Sequence, residues 1–241
     1  MPELPAYTSQ REGNAESVKG STNHVEESAP LAFEACGRRW VLYRPADLET
    51  MWERLDSEEF LADERLPYWV VLWPSSLVLA DWLVEHASSI TGKICLDLGC
   101  GLGLTAMVGA IAGGKVLGLD YEKQALFYAM KNATVNESPP VVWAAMDWRV
   151  PAVLPKTASF IWAGDIVYEK RFVEPVLHFL EYALADDGVV WISEPGRTIY
   201  NLFAEAVAAS TLTAACVKST TVQALEGHTV PVNIWEITRK K

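Results

Sequence analysis

A carboxylate followed by three glycines is the first feature of this sequence with clear chemical meaning. Asp97 lies near the end of an apolar segment, and Gly99, Gly101 and Gly103 follow where a strand would turn into a helix. Glycine permits positive φ angles and a close approach of the backbone to a ligand, and the first N–H groups of a helix are free to bind a carboxylate. A buried charge is costly without a partner. We therefore expect a ligand that carries a carboxylate and, beside Asp97, a cationic amine.

Two further acidic residues follow the next two predicted strands. Asp120 ends the first, where a carboxylate can accept both hydroxyls of a ribose. Asp147 ends the second and can accept an adenine amino group, with Trp148 or Met146 against the ring. These positions suit an adenosine, so the predicted cofactor is S-adenosylmethionine, with S-adenosylhomocysteine as its product. The alternatives are a helix cap at Asp120 and an ordinary loop carboxylate at Asp147.

The glycine turn also fits a second class of cofactor. Gly101, Gly103 and Ala106 match the G-x-G-x-x-A pattern of dinucleotide-binding proteins. We favour S-adenosylmethionine because Asp97 lies where the strand before a pyrophosphate site would be uncharged, and because acids recur after the later strands. The predicted cofactor-binding residues are Trp73, Asp97, Gly99, Cys100, Gly101, Gly103, Asp120, Tyr121, Asp147, Trp148 and Gly164.

Asp165 and Tyr168 are the predicted catalytic residues. They follow the fourth strand of the core, where the reacting groups of an α/β sheet gather. Methyl transfer to an amine is an in-line displacement, so holding a neutral amine in position contributes more than any covalent step. Asp165 can orient the amine, and Tyr168 can stabilise it or relay its proton. The alternative is that Asp165 caps a helix and Tyr168 is a core tyrosine.

Trp73 can cover the cofactor or line the substrate channel, since its flat ring suits a sulfonium or ammonium through cation–π attraction. The alternative is that Trp73 is an aromatic anchor of the core.

The elements that must position these residues alternate between strand and helix. Strands separated by helices indicate right-handed crossovers and a parallel sheet, and the last two strands predict an antiparallel hairpin at its edge. The fold class is therefore α/β, a Rossmann-like seven-stranded sheet with helices on both faces. Strands are predicted at 93–98, 115–120, 141–146, 159–163, 188–193, 212–223 and 230–238, and helices at 105–112, 123–136, 172–184 and 201–210.

Domain organisation follows from a change in composition near residue 30. Residues 1–30 are polar and contain almost no large apolar side chains, so we expect a flexible tail. Residues 31–241 fit a single domain. Its cap, 31–66, would contain two short strands around Gly37 and a helix over 47–60. Its catalytic core, 67–241, would begin with an aromatic loop and a helix capped by Ser75 or Ser76.

Charge and composition argue against several kinds of partner and site. Acidic residues outnumber basic ones 31 to 20, for a formal net charge of −11, which argues against nucleic acid. The four cysteines and four histidines show no spacing typical of a metal site or a disulfide framework. We find neither a signal-peptide pattern nor an apolar run long enough for a bilayer. We expect a cytoplasmic monomer without a membrane partner.

Four segments resemble the family-16 seven-β-strand methyltransferases. They are Y-W-V-V-L-W-P at 68–74, L-D-L-G-C-G-L-G at 96–103, G-D-I-V-Y at 164–168 and E-P-G-R at 194–197. Within that family the chain is most similar to the electron-transfer-flavoprotein β-subunit lysine methyltransferases, from about residue 68 to the C-terminus. A departure is Glu194, where the family carries an aspartate before Pro-Gly-Arg.

The resemblance implies a role for each matched residue. It places Asp97, Gly99 and Gly101 in the cofactor motif, makes Asp120 the ribose-binding acid and puts Trp73 near the cofactor. It also implies that the D-x-x-Y motif of Asp165 and Tyr168 faces a substrate lysine.

Three functions are compatible with these residues. The first is Nε-methylation of a lysine in a protein substrate. The second is methylation of a small molecule at nitrogen or oxygen, with the N-terminal cap closing over a smaller pocket. The third is a catalytically silent, cofactor-binding interaction module. Transfer of label from the cofactor to a protein, to small molecules or to nothing distinguishes them.

Overall fold

The computed structural model describes residues 29–53, 66–225 and 227–241. The strands are β1 (Leu31–Ala35), β2 (Arg38–Leu42), β3 (Ile94–Leu98), β4 (Lys115–Asp120), β5 (Val142–Ala145), β6 (Ala158–Gly164), β7 (Leu184–Glu194), β8 (Leu212–Gln223) and β9 (Thr229–Arg239). The helices are α1 (Leu48–Glu53), α2 (Pro74–Glu85), α3 (Ala87–Ile90), α4 (Leu104–Ile111), α5 (Lys123–Val135), α6 (Val173–Ala183) and α7 (Ile199–Ala209). Short 3-10 turns occupy Tyr68–Val70 and Lys170–Phe172.

Seven of the strands form one sheet in the order β5-β4-β3-β6-β7-β9-β8. The five strands from β5 to β7 in this order run parallel. β9 lies antiparallel between β7 and β8, and it pairs with both. The predicted α/β fold with a C-terminal antiparallel hairpin is therefore confirmed.

The sheet is covered on both faces by apolar helix surfaces. One buried cluster includes Leu83 of α2 and Met107 of α4, and the other includes Phe179 of α6 and Phe203 of α7. α4 lies very close to the sheet, because a Cβ atom on its Gly109 would be 2.4 Å from Cζ2 of Trp162. This close packing fixes the start of α4 above the end of β3, where the glycine turn lies.

The N-terminal strands β1 and β2 form a separate antiparallel hairpin, as predicted around Gly37. Trp40 of β2 is fully buried in the main core. Asn132 of α5 accepts the N–H of Tyr43 at 2.7 Å and donates to the carbonyls of Tyr43 and Leu102, both at 3.1 Å. One amide side chain thus joins the hairpin to the glycine turn.

Several predicted boundaries differ from the observed ones. The helix expected over 47–60 is described from Leu48–Glu53, and its remainder, like residues 1–28 of the expected tail, lies outside the described residues. The N-cap of α2 is Trp73 rather than Ser75 or Ser76, because Pro74 has the fixed φ and the missing N–H that suit the first helical position. Throughout the described ranges, no helix combines the length and apolar character required to cross a membrane.

Candidate active site

A cavity of about 340 Å³ opens at the carboxyl ends of β3, β4 and β6. This is the edge at which ligands bind in open parallel sheets. Its walls come from the aromatic loop before α2, the glycine turn and the segments that follow β4, β5, β6 and β7. The lining residues are Leu66, Tyr68, Trp69, Val71, Leu72, Trp73, Ser76, Gly99, Cys100, Gly101, Leu102, Gly103, Leu104, Thr105, Asp120, Tyr121, Glu122, Trp148, Gly164, Asp165, Ile166, Tyr168, Glu169 and Arg197.

The glycine turn is held against the end of β4 by its own backbone. The N–H groups of Gly99 and Cys100 donate to the carbonyl of Leu119 at 2.8 and 2.9 Å. Gly103 has a φ of +89° and caps α4 without a side chain. The N-terminus of α4 therefore has no capping side chain at Gly103, and Leu104 and Thr105 at its start line the cavity, which suits a carboxylate of a ligand.

Asp120 connects this turn to the predicted ribose site. One of its carboxylate oxygens accepts the N–H of Gly101 and the other accepts the N–H of Glu122, both at 2.9 Å. The side chain is buried but lines the cavity. Burial raises the pKa of Asp120 to about 6, against the lowering effect of its two backbone hydrogen bonds. Each oxygen retains a lone pair, so Asp120 can still accept a hydroxyl.

Asp97 lies behind the cavity wall rather than in it. Its side chain is 1% exposed, and its Oδ2 accepts the hydroxyl of Thr105 at 2.7 Å. Its Oδ1 is buried without a partner in hydrogen-bonding geometry among the described residues. Burial raises the pKa of Asp97 to about 7, and the Thr105 hydrogen bond opposes that shift. Thr105, not Asp97, lines the cavity.

Trp148 and Asp147 are neighbours in sequence but occupy different surroundings. Trp148 lines the cavity and packs edge-on against Tyr121 and Phe172, with ring centroids 6.0 and 5.7 Å away. Asp147 does not line the cavity, and its carboxylate binds the guanidinium of Arg149 at 2.6 Å. The structure therefore brings Trp148 to the predicted adenine region and leaves Asp147 outside it.

Asp165 directly follows β6 and has a left-handed conformation, with a φ of +50°. Its N–H donates to the carbonyl of Ser193 at 2.7 Å, which extends the pairing of β6 with β7 by one residue. Both oxygens of its carboxylate accept the guanidinium of Arg197, at 2.7 Å from Nε and 2.6 Å from Nη2. Burial raises the pKa of Asp165, and Arg197 opposes that rise.

The loop that carries Arg197 is fixed by a buried glutamate. The Arg197 N–H donates to Oε2 of Glu194 at 2.8 Å. Oε1 of Glu194 accepts Nδ2 of Asn233 at 2.7 Å and Nε1 of Trp235 at 3.2 Å, both from β9. The C-terminal hairpin thereby supports the cavity although it supplies none of the lining residues.

Three aromatic side chains form one wall beside Asp165. The ring of Tyr168 lies edge-on to Tyr68 at 5.2 Å and to Phe172 at 4.8 Å. Tyr68 lies edge-on to Trp73 at 5.9 Å, and Nε1 of Trp73 donates to the Tyr68 carbonyl at 3.0 Å. Burial raises the pKa of Tyr168 above its ordinary value, so its hydroxyl keeps its proton near neutral pH.

The sequence places this arrangement in a known family. The family model described as lysine methyltransferase matches residues 64–201. The chain belongs to the lysine methyltransferase family. The resemblance found from the four sequence segments is confirmed.

Curated relatives include several protein methyltransferases. The electron transfer flavoprotein beta subunit lysine methyltransferase of Homo sapiens is 32% identical over 148 residues, covering 61% of this chain and 54% of the relative. Its counterpart from Xenopus laevis is 26% identical over 140 residues, covering 56% and 55%. A histone-arginine methyltransferase of Homo sapiens is 27% identical over 113 residues, covering 44% and 58%. The chain spans about half the length of the curated relatives it matches.

Solved structures share the fold at low sequence identity. A 16S rRNA methyltransferase from T. thermophilus, in complex with S-adenosylmethionine and guanosine, superposes with a TM-score of 0.59 at 16% identity, over 88% of this chain and 50% of that one. Magnesium protoporphyrin IX methyltransferase from Synechocystis, with bound S-adenosylmethionine, gives a TM-score of 0.56 at 15% identity, over 80% and 91%. These structures establish the architecture of this family member and nothing about its acceptor.

The sequence reasoning missed several residues of the cavity, and three of them contact predicted site residues. Arg197 is 32 residues from Asp165, Thr105 is eight from Asp97, and Tyr68 carried no assigned role. The signal for Arg197 was present, because Asp165 and Arg197 follow adjacent parallel strands and carry opposite charges.

Among the described residues of this lysine methyltransferase family member, no cluster of His, Cys, Asp or Glu could hold a metal ion.

Proposed function

We propose that the protein transfers a methyl group from S-adenosylmethionine to a lysine side chain of a protein substrate. The observation that carries this proposal is that one cavity has two chemically different ends. The glycine turn and Asp120 form its donor end, and Asp165, Tyr168 and Arg197 form its acceptor end.

The residues at the donor end fit S-adenosylmethionine. The open start of α4 suits its carboxylate, and Asp120 can accept its ribose hydroxyls. Trp148 and Ile166 offer an apolar surface for adenine. Asp97 is buried behind this region with a pKa of about 7, and a cationic ligand in the adjacent space would favour its charged form.

The acceptor end can hold an amine for in-line attack. S-adenosylmethionine supplies, when bound, a methyl group on a positively charged sulfur. Tyr168 presents a protonated hydroxyl beside Tyr68 and Asp165, so it can hydrogen-bond to an incoming nitrogen. The flat rings of Tyr68 and Trp73 offer an apolar surface for the aliphatic part of a long side chain.

Two observations support a protein substrate. The relatives named above are protein methyltransferases by name, and the formal charge of −11 attracts a basic segment of a partner over long range. The cytoplasmic location and the monomeric state stay predictions.

The proposal is tested in two steps on the full chain. First, the melting temperature is measured with S-adenosylmethionine, S-adenosylhomocysteine or NAD, since a ligand that binds only the folded state raises it. A rise with the first two and none with NAD is expected; a rise with NAD alone would refute the cofactor.

Second, the protein is incubated with methyl-labelled S-adenosylmethionine and a cell lysate. We expect label in a protein band, on Nε of lysine after total hydrolysis and chromatography. Label only in low-molecular-weight material would replace the proposal by small-molecule methylation. Binding of S-adenosylhomocysteine without any transfer would favour a silent interaction module.

A further inference from the structure

The carboxylate of Asp165 already has a cation inside the protein. Arg197 binds both of its oxygens, at 2.7 and 2.6 Å, in the planar geometry that a guanidinium and a carboxylate share. The Asp165 side chain is 3% exposed and that of Arg197 is 35% exposed. A lysine ammonium arriving in the cavity would therefore meet a neutralised pair rather than a bare carboxylate.

Both members of the pair are held by main-chain contacts. The Asp165 N–H is bound by the carbonyl of Ser193, and the Arg197 N–H is bound by Glu194. Glu194 is in turn bound by Asn233 of β9. A surface ion pair loses much of its value to side-chain entropy, whereas here the backbone of both partners is held in place and the Asp165 side chain is 3% exposed. The geometry of the pair is therefore a built feature of the cavity.

This arrangement has a direct consequence for the reacting amine. Only the uncharged amine carries the lone pair that attacks a methyl group, and a neighbouring carboxylate stabilises the charged ammonium instead. A neighbouring guanidinium has the opposite effect. The oxygen lone pairs of Asp165 can therefore align the lysine amine. Because Arg197 neutralises the carboxylate, the pair lacks the net negative charge that would keep that amine protonated.

We propose that Arg197 is a positioning residue that neutralises Asp165, so that the acceptor end of the cavity takes up a lysine side chain as an uncharged amine. This inference rests on the proposed function and identifies how the same site selects the reactive form of its substrate.

Other charged groups around the pair do not replace Arg197. It is the only cation among the described residues that lies within ion-pair distance of the Asp165 carboxylate. The described titratable and charged groups that face the pair or the same cavity are Tyr68, Asp120, Tyr121, Glu122, Tyr168, Glu169, Arg171 and Glu194. Most of these are acids or phenols, so removal of Arg197 leaves the acceptor end negative.

The first test needs no methyl transfer. Butylammonium, which reproduces the end of a lysine side chain, is titrated by calorimetry into the full chain at about pH 8, with and without S-adenosylhomocysteine. Arg197→Gln exposes the Asp165 carboxylate, so it should bind butylammonium at least about tenfold more tightly than the wild type, equivalent to about 1.4 kcal/mol. The double variant Arg197→Gln with Asp165→Asn should lose that gain.

Matched variants separate this effect from general charge and from misfolding. Lys156→Gln removes one positive charge from an exposed ion pair with Asp186 and should leave butylammonium binding unchanged. Arg197→Lys keeps the positive charge but loses the two-point contact of the guanidinium with the Asp165 carboxylate. It should increase butylammonium affinity less than Arg197→Gln does. If the Gln variant does not fold, an increase in the Lys variant over the wild type tests the inference. Equal affinity in the wild type and both Arg197 variants, or an equal gain in Lys156→Gln, would overturn the inference.

The second test follows the pH dependence of methyl transfer. The acidic limb of kcat reports loss of a proton within the enzyme–substrate complex, and Arg197→Gln should move it to higher pH by about one unit. A lower rate with an unmoved limb would mean that Arg197 only supports the structure, and would refute the inference. If the wild type transfers no methyl group, the proposed function fails, whereas the butylammonium result still decides the role of Arg197.

Discussion

The carboxylate of Asp120 accepts the backbone N–H of Gly101 at 2.9 Å, which ties the end of β4 to the glycine turn after β3. The same side chain holds the N–H of Glu122. One acid therefore sets the spacing between two segments that both line the cavity, before any contact with a ligand is made. Its removal should affect both the shape of the donor end and the binding of a ribose.

Asp120→Asn is expected to weaken binding of S-adenosylhomocysteine by about 10- to 100-fold, or about 1.4 to 2.8 kcal/mol. An amide cannot accept both backbone N–H groups, because one of its two heteroatoms is a donor. Calorimetry with the purified protein measures the change. Asp186→Asn, at an exposed ion pair with Lys156, is the control. Unchanged affinity in Asp120→Asn would remove Asp120 from the cofactor site.

Tyr168→Phe is expected to lower the initial rate of methyl transfer on the order of 100-fold, the range in which one positioned proton donor or acceptor contributes. The ring contacts with Tyr68 and Phe172 are kept, so the melting temperature should change little. Tyr182→Phe removes a hydroxyl that binds the carbonyl of Val153 outside the cavity, and should retain the rate. A wild-type rate in Tyr168→Phe would show that the hydroxyl has no part in transfer.

The stability of the ligand-free protein should fall as pH rises from about 4 to about 7. The pKa of Asp97 is raised to about 7 and that of Asp120 to about 6, above the value of about 3.9 for an unfolded aspartate. The folded state therefore binds more protons than the unfolded state in this window, so stability is greatest below it and is lost as pH increases. Asp97→Asn should reduce that loss.

Melting temperatures at about pH 5 and about pH 8 measure this effect. Asp187→Asn, at an exposed position, is the control and should follow the wild type. If Asp97→Asn loses as much stability as the wild type over the same interval, burial of Asp97 is not the cause of the pH dependence.

Gly103→Ala is expected to destabilise the protein by about 2 to 4 kcal/mol. The φ of +89° disfavours any side chain, and the new Cβ would lie 3.0 Å from both the Ala129 Cβ and Cη2 of Trp143. Gly37→Ala is a matched comparison, since its φ is +69° but nothing lies within 4 Å of a Cβ there, and it should cost about 1 kcal/mol. Urea unfolding measures both. Equal losses would mean that packing at Gly103 contributes nothing.

Local patterns in the sequence were enough to predict most elements of the sheet. The bounds of β4 and β8 agree with the predicted 115–120 and 212–223, because each is an apolar or β-branched run bounded by clear turn residues. β7 was predicted only over 188–193 but begins at Leu184. Asp186, Asp187 and Gly188 are typical of a turn, whereas the pairing of buried Leu184 with Ala158 across an irregular register extends the strand.

The candidate site was predictable only where its residues are close in sequence. The glycine turn and the D-x-x-Y segment each lie within a few residues, and most of their side chains line one cavity. The Asp165–Arg197 pair and the Glu194–Asn233 contact join residues 32 and 39 positions apart, so they depend on strand order and on the length of each crossover. Whether Asp97 reaches a ligand depends on its burial, which alternation along a strand does not reveal.

The strand order places the two ends of the cavity on different strands of the sheet. Its donor end is built after β3 and β4, on one side of the sheet, and its acceptor end after β6 and β7, with β9 behind them. Substitutions at the tips of β6, β7 and β9 can therefore alter which nucleophile is accepted while the residues for the methyl donor stay untouched.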